Sequence, residues 1–249
     1  VAEAVVTMDG WCVLHDMRTF DWAAWKMISE EERTEAVEEF KQLVSKWKAV
    51  EDEQTGSQSL YTVVGNKADL MFMFLRPTMD ELTDIKTELN KSKIGDFMIP
   101  SYSYVSIVEM TKHNPMEEGK DRELDPKVQA RLKPILPKWE YMCFYPMSRH
   151  RWSDLNWFTI DKEERTRLLY EHGLTGRQYA GKVKEIISGS IGLDEWEWGV
   201  SLFAHDPLQF KKIVYEMRFD EATAKYGEFG DFVIGTRLPE DNISAYFAL

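Results

Sequence analysis

The feature that most constrains this chain is an internal repeat. Ser29-x-x-Glu32 opens one amphipathic stretch and Asp161-x-x-Glu164 opens another, both at capping-box spacing, and Glu-Glu-Arg sets the register of each, ending at Arg33 and Arg165. Gly95-Asp96-Phe97 and Gly230-Asp231-Phe232 recur at nearly the same offset, just before the last strand of each copy. In the first copy, apolar patterning predicts strands over 5–16, 60–64, 69–75 and 102–110, a helix over 29–47 and another opened by Thr78-x-x-Glu81. The second copy predicts strands over 141–147, 183–188, 196–203 and 232–236, with helices over 161–172 and 206–218. Both read βαββαβ, the ferredoxin-like order, in which helices cover one face of an antiparallel sheet. The expectation is therefore an α+β protein of two tandem ferredoxin-like halves, closing face to face as a dimeric α+β barrel. The halves are 1–111 and 137–249, and 112–136, rich in charge, Pro and Gly, is expected to be a connecting loop.

Composition narrows the partners. A formal net charge of -12 argues against nucleic acid and against an anionic membrane surface, since both call for a basic face. No apolar run approaches the roughly 20 residues that span a bilayer, and no basic-then-apolar leader pattern is present, so a cytoplasmic location is expected. Cys12 and Cys143 fall at matching places in the two copies, inside apolar strand-like runs, and read as buried thiols rather than a disulfide.

The repeat also isolates a residue. Carried forward, its offset pairs Phe40 with His172, so an imidazole replaces an aromatic on the apolar face of the second helix, beside Leu168 and Leu169. Gly173 is placed to end that helix in the left-handed conformation. A core histidine bonded to a backbone carbonyl accounts for it. So does an axial haem ligand, which needs a single protein donor, whereas zinc would need companions at i+3 or i+4. Period-2 alternation places Tyr141, Cys143 and Tyr145 on one strand face, and Pro146 is expected to stop the ladder there. Arg149, His150 and Arg151 follow as a basic island in an acidic chain, to which Arg131, Lys133 and Lys138 can add. Such guanidinium forks suit a ligand with several carboxylates, and a solvated loop is the plain alternative. Glu185 shares a strand face with Val183 and Ile187; facing inward it is a pocket carboxylate. Trp196, Trp198, Val200 and Leu202 form a stripe that reads first as core. Arg218 and Thr223 are candidate anion contacts or helix caps.

Several runs together resemble the coproheme-decarboxylating group of the chlorite dismutase-like family. They are Lys67-Ala68-Asp69-Leu70, Pro100 to Ser106, Phe144-Tyr145-Pro146-Met147, Arg177 to Lys182 and Tyr215 to Glu221, in order along nearly the whole chain. The resemblance implies the paired ferredoxin-like barrel, assembled as a homopentamer. It also implies peroxide-driven decarboxylation of two propionates of iron coproporphyrin III (coproheme) to the vinyls of haem b, the tetrapyrrole being both substrate and cofactor. By motif, His172 would bind iron and Tyr145 would be the radical that takes hydrogen from the propionate. Arg131, Arg218 and Thr223 would anchor propionates, and Met147 would pack on the distal side. Trp157 and Trp198 would line the pocket, with Trp198 a second radical site. A ferrochelatase would be a transient partner. The chain departs from the pattern in three places. Arg149, which the resemblance places beside Tyr145 as a catalytic residue, stands where a lysine is usual; arginine keeps the charge and its electrostatic steering but ill suits a proton relay. Glu185 stands where close relatives have glutamine, and His113 and Lys133 stand where relatives tend to have tyrosines. Chlorite dismutation or general peroxidase activity is the alternative on the same fold, disfavoured by a carboxylate at 185. A non-catalytic haem carrier is the alternative of another class.

Overall fold

The computed structural model describes residues 4–111 and 124–249, and His113 lies outside them. The chain is α+β, with the element order βαββαβ in each half. Its contacts divide it into two compact units.

The first unit comprises Gly10–Ile107, Lys133–Lys138 and Ile234–Leu249. Its elements are β1 (Thr7–Phe20), α1 (Trp22–Met27), α2 (Glu30–Lys48), β2 (Ser57–Val63), β3 (Leu70–Arg76), α3 (Met79–Lys91) and β4 (Met98–Thr111). β3 pairs antiparallel with β1 on one side, Leu14 opposite Phe74, and with β2 on the other, Leu60 opposite Phe72. Every residue of β3 is buried, as a central strand with both neighbours filled requires. Two of the three predicted capping boxes form, both here: Ser29 with Glu32 at the start of α2, and Thr78 with Glu81 at the start of α3, whereas Asp161 only accepts from Glu164 N. α2 buries Val37, Phe40, Val44 and Trp47 at helical spacing, and Phe40 meets Phe72 edge-on at 6.1 Å.

The second unit comprises the described residues of 1–9, 108–132 and 139–233. Its further elements are α4 (Pro126–Leu132), β5 (Tyr141–Arg149), α5 (Lys162–Arg177), β6 (Lys184–Gly189), β7 (Trp198–Ala204), α6 (Leu208–Met217), α7 (Glu221–Tyr226) and β8 (Gly227–Phe229). The chain continues in β9 (Val233–Arg237) and α8 (Ile243–Phe247), whose residues from Ile234 onward belong to the first unit. There Gly235 to Arg237 pair with β2, and Ile243 and Phe247 are buried. In the second unit β7 is central, antiparallel to β5 and to β6, and β8 pairs with the last residues of β5. α4 is a helix inside the segment expected to be irregular; Val128 and Leu132, four apart, are its buried stripe.

Two local expectations are corrected. β5 does not stop at Pro146 but runs on to Arg149, with Pro146 opposite Gly199 and Met147 opposite Trp198. In an antiparallel strand the N–H and C=O of a residue point to the same side. The Pro146 carbonyl accepts from Gly230 N at 2.8 Å, so its missing N–H faces away from β7 and costs that ladder nothing. α5, in turn, passes through Gly173 to Arg177, with Gly173 outside the left-handed region. The nearby Gly176 serves packing instead: a Cβ there would come within 3.3 Å of Met217 on α6.

Candidate active site

The strand register builds one face of the second unit row by row. Opposite residues of antiparallel strands project to the same side. One row is therefore Tyr145, Val200 and Ile187; the next is Cys143, Leu202 and Glu185; and a third is Met147, Trp198 and Gly189. The expected phenol, carboxylate and indole thus share a face. Tyr145 is buried, stacked on Phe232 with centroids 4.4 Å apart, and Phe229 lies 5.8 Å away. Burial, helped by the charge of Glu185, pushes its phenol well above the usual range, so the hydroxyl keeps its proton at any physiological pH. Cys143 and Cys12 are free, buried thiols.

Glu185 is accessible to solvent, yet desolvation pushes its carboxyl above the usual value of 4.5. Arg131, and His172 when it is protonated, act in the other direction, their charges favouring the carboxylate. Because its folded value is raised, Glu185 adds stability only at low pH. That contribution is lost as pH climbs from about 4.5 through the raised value. Glu185→Gln is accordingly expected to melt like the parent below that range and above it at neutral pH; parallel melts of the unloaded protein across pH check this.

His172 is part-exposed rather than a core residue. Leu168 beneath it is buried with Trp157, Ala222 and Tyr226, but Leu169 faces solvent. The imidazole finds a carboxylate, not the backbone carbonyl of the plain reading: Nδ1 lies 3.0 Å from Asp220 Oδ2 and 3.3 Å from the Thr223 hydroxyl. Asp220 is also the N-cap of α7, its Oδ1 accepting from Thr223 N at 3.0 Å. One carboxylate therefore starts a helix with one oxygen and orients a histidine with the other. Nδ1 carries the proton that Asp220 accepts, and Nε2, partnerless among the described residues, is left as a lone-pair donor. Sequence reasoning overlooked Asp220. Asp220-x-x-Thr223 is an N-cap signature within a motif already singled out.

Arg149 is not part of an open basic island. It is buried, lies 4.8 Å above the Trp157 ring, and donates from Nη1 to the Ala222 carbonyl at 2.8 Å. Its own N–H donates to the buried Glu197, toward which exposed Arg151 also reaches at 3.5 Å. The guanidinium thus braces β5, which carries Tyr145, to α7, which orients His172. Trp157 is the plate beneath it. Arg149→Lys keeps charge but loses the planar stack, and a loss of about 1–2 kcal/mol in denaturant unfolding is expected. Arg218 is exposed, its guanidinium 4.4 Å over Phe229, and its charge favours ionisation of Tyr145. Met147 is half-buried, and Trp198 donates from Nε1 to Glu109 Oε1 at 2.8 Å. Thr223 is buried, with its hydroxyl 3.3 Å from His172 Nδ1, and Lys133 is exposed.

The second unit thus offers a buried phenol that keeps its proton, a part-exposed histidine oriented by a carboxylate, and two exposed arginines, Arg131 and Arg218. Residues 33–238 match the profile of the chlorite dismutase family. The chain belongs to that family. It is 66% identical to coproheme decarboxylase from Oceanobacillus iheyensis, over 100% of both chains. A haem-binding protein from Thermus thermophilus superposes with a TM-score of 0.94 at 46% identity, covering 100% of this chain and 99% of that one. A variant of chlorite dismutase from Candidatus Nitrospira defluvii shares the fold at 20% identity, with a TM-score of 0.78 over 97% of this chain and 96% of the other. Among the described residues no helix is long and apolar enough to cross a membrane.

Proposed function

We propose that this chain decarboxylates two propionates of coproheme, with hydrogen peroxide as oxidant, to give haem b. The observation that carries the reading is the pairing of a buried, protonated Tyr145 with a His172 whose Nδ1 is committed to Asp220. The residues fit the group: Nε2 of His172 is the free donor for iron, and Arg218 and Arg131 are exposed cations for propionates. Bound there, iron coproporphyrin III supplies the redox chemistry as well as the substrate.

The protein's part is to place and protect. Phe229 and Phe232 fix the Tyr145 ring, so its O–H is the hydrogen source that a one-electron oxidant reaches. Once that hydrogen is gone, the phenoxyl oxygen takes one from the propionate held by the arginines. Glu185, with its raised affinity for a proton, is suited to take one from peroxide and return it. The same carboxylate disfavours chlorite, an anion. A bare carrier leaves the buried phenol without purpose. We further assign, on resemblance to the relatives, a cytoplasmic homopentamer in transient contact with a ferrochelatase.

The test is mass spectrometry of the pigment after the loaded protein is titrated with hydrogen peroxide. Stepwise loss of two carboxyl groups is the expected result; an intact or bleached tetrapyrrole would overturn the assignment in favour of a carrier or a peroxidase.

A further inference from the structure

Glu109, near the end of β4, belongs to no motif the sequence singled out, yet it meets the site face at Trp198. The indole Nε1–H donates to its Oε1 at 2.8 Å. Space for that carboxyl comes from Gly189, directly across the ladder from Trp198: a Cβ on Gly189 would collide with both Glu109 oxygens. Trp198 is also a diagonal neighbour of Tyr145, which faces Val200 two residues along β7. Such diagonal pairs stand roughly 7–8 Å apart. The indole thus shares the strand face of the phenol and is bonded to a carboxylate.

We propose that Glu109 is the proton acceptor that lets Trp198 serve as a second one-electron relay of the site. The proposal rests on the peroxide chemistry assigned above. In the step, Trp198 gives one electron to the peroxide-derived oxidant, which is reduced by one equivalent. The Nε1–H bond breaks, its proton forms an O–H bond on Glu109, and a neutral indolyl radical and a carboxylic acid remain. An indole without an acceptor would have to hold a cation in a partly desolvated wall, which is costly. Glu109 suits the task in a second way. Partial burial, and to a lesser extent the charge of Asp9 on β1, raise its proton affinity above that of an ordinary glutamate.

Glu109→Gln separates this role from a structural one, because the amide oxygen can still accept the indole N–H but has almost no basicity. The experiment is freeze-quench paramagnetic resonance of coproheme-loaded protein mixed with hydrogen peroxide. It is run in a Tyr145→Phe background so that the phenol does not drain the signal, with Trp198→Phe added to assign it. A neutral tryptophanyl radical that depends on Trp198 is expected with Glu109 in place. A positioned proton acceptor contributes on the order of a hundredfold in rate. The signal should therefore fall by roughly tenfold or more in Glu109→Gln. Gly189→Ala, which displaces the carboxyl without altering residue 109, should do the same. An undiminished neutral radical in Glu109→Gln, or no Trp198-dependent radical with Glu109 present, overturns the proposal. Pigment mass in the Tyr145-containing protein reports separately on the decarboxylase assignment, so either failure is recognisable alone. Ultraviolet resonance Raman of the unloaded protein, with Trp198→Phe as reference, checks that the indole hydrogen bond survives in Glu109→Gln.

Discussion

Tyr145→Phe is expected to fold and to bind iron coproporphyrin III as the parent protein does, and to release no vinyl product. The fold is expected to survive because the site asks little of the hydroxyl structurally. The ring is held by its stack on Phe232 and its contact with Phe229, and the hydroxyl has no hydrogen-bond partner among the described residues. Phenylalanine fills the same volume and leaves nothing unsatisfied, so a stability change under about 1 kcal/mol is expected. Chemistry is another matter. Without the O–H there is no hydrogen to surrender and no oxygen radical to take one from the propionate. A fall in product formation of roughly a hundredfold or more follows. Binding is read by absorbance titration and product by pigment mass. Retained vinyl formation at parental rates would remove Tyr145 from the reaction, whatever the fate of the fold.

How much of this was legible in the sequence follows the range of each interaction. The capping boxes at Ser29 and Thr78 close within one helical turn, so spacing alone revealed them. The shared face of Tyr145, Cys143, Trp198 and Glu185 follows from period-2 alternation once the strands pair in the register observed. Where the sequence reading failed, a distant partner decided. Pro146 should have ended β5, but its missing N–H turns away from β7. Gly173 should have ended α5, but the helix passes it and spends Gly176 on closeness to Met217. Arg149 looked like surface charge because charge patterning is blind to Trp157 and Ala222, which reach it only through the fold. Asp220 and Glu109 escaped notice for the same reason. Each is an ordinary acidic residue until a side chain 48 or 89 positions away arrives beside it.

Asp220 carries the second large effect, and its two natural replacements should fail in different ways. In Asp220→Ala both oxygens vanish. α7 loses its N-cap, which costs about 1 kcal/mol, and the His172 ring loses the acceptor that fixes its tautomer. Removing the hydrogen-bond partner of a metal-binding histidine typically reduces metal affinity roughly 10–100-fold, so weaker coproheme binding and modest destabilisation should appear together. Asp220→Asn is more discriminating. Asparagine caps helices as well as aspartate does, so stability should be kept. It has, however, one oxygen where two acceptors are in use, Oδ1 for Thr223 N and Oδ2 for His172 Nδ1. With the oxygen committed to the cap, the amide NH2 faces Nδ1 and can only donate to it. The imidazole must then place its proton on Nε2, the nitrogen that iron needs bare. Asp220→Asn should therefore melt like the parent yet bind coproheme at least about tenfold more weakly, with the absorbance of a weakly ligated iron. Parental affinity and spectrum in Asp220→Asn would show that the ring chooses its tautomer without this carboxylate, and that Asp220 serves only the cap of α7.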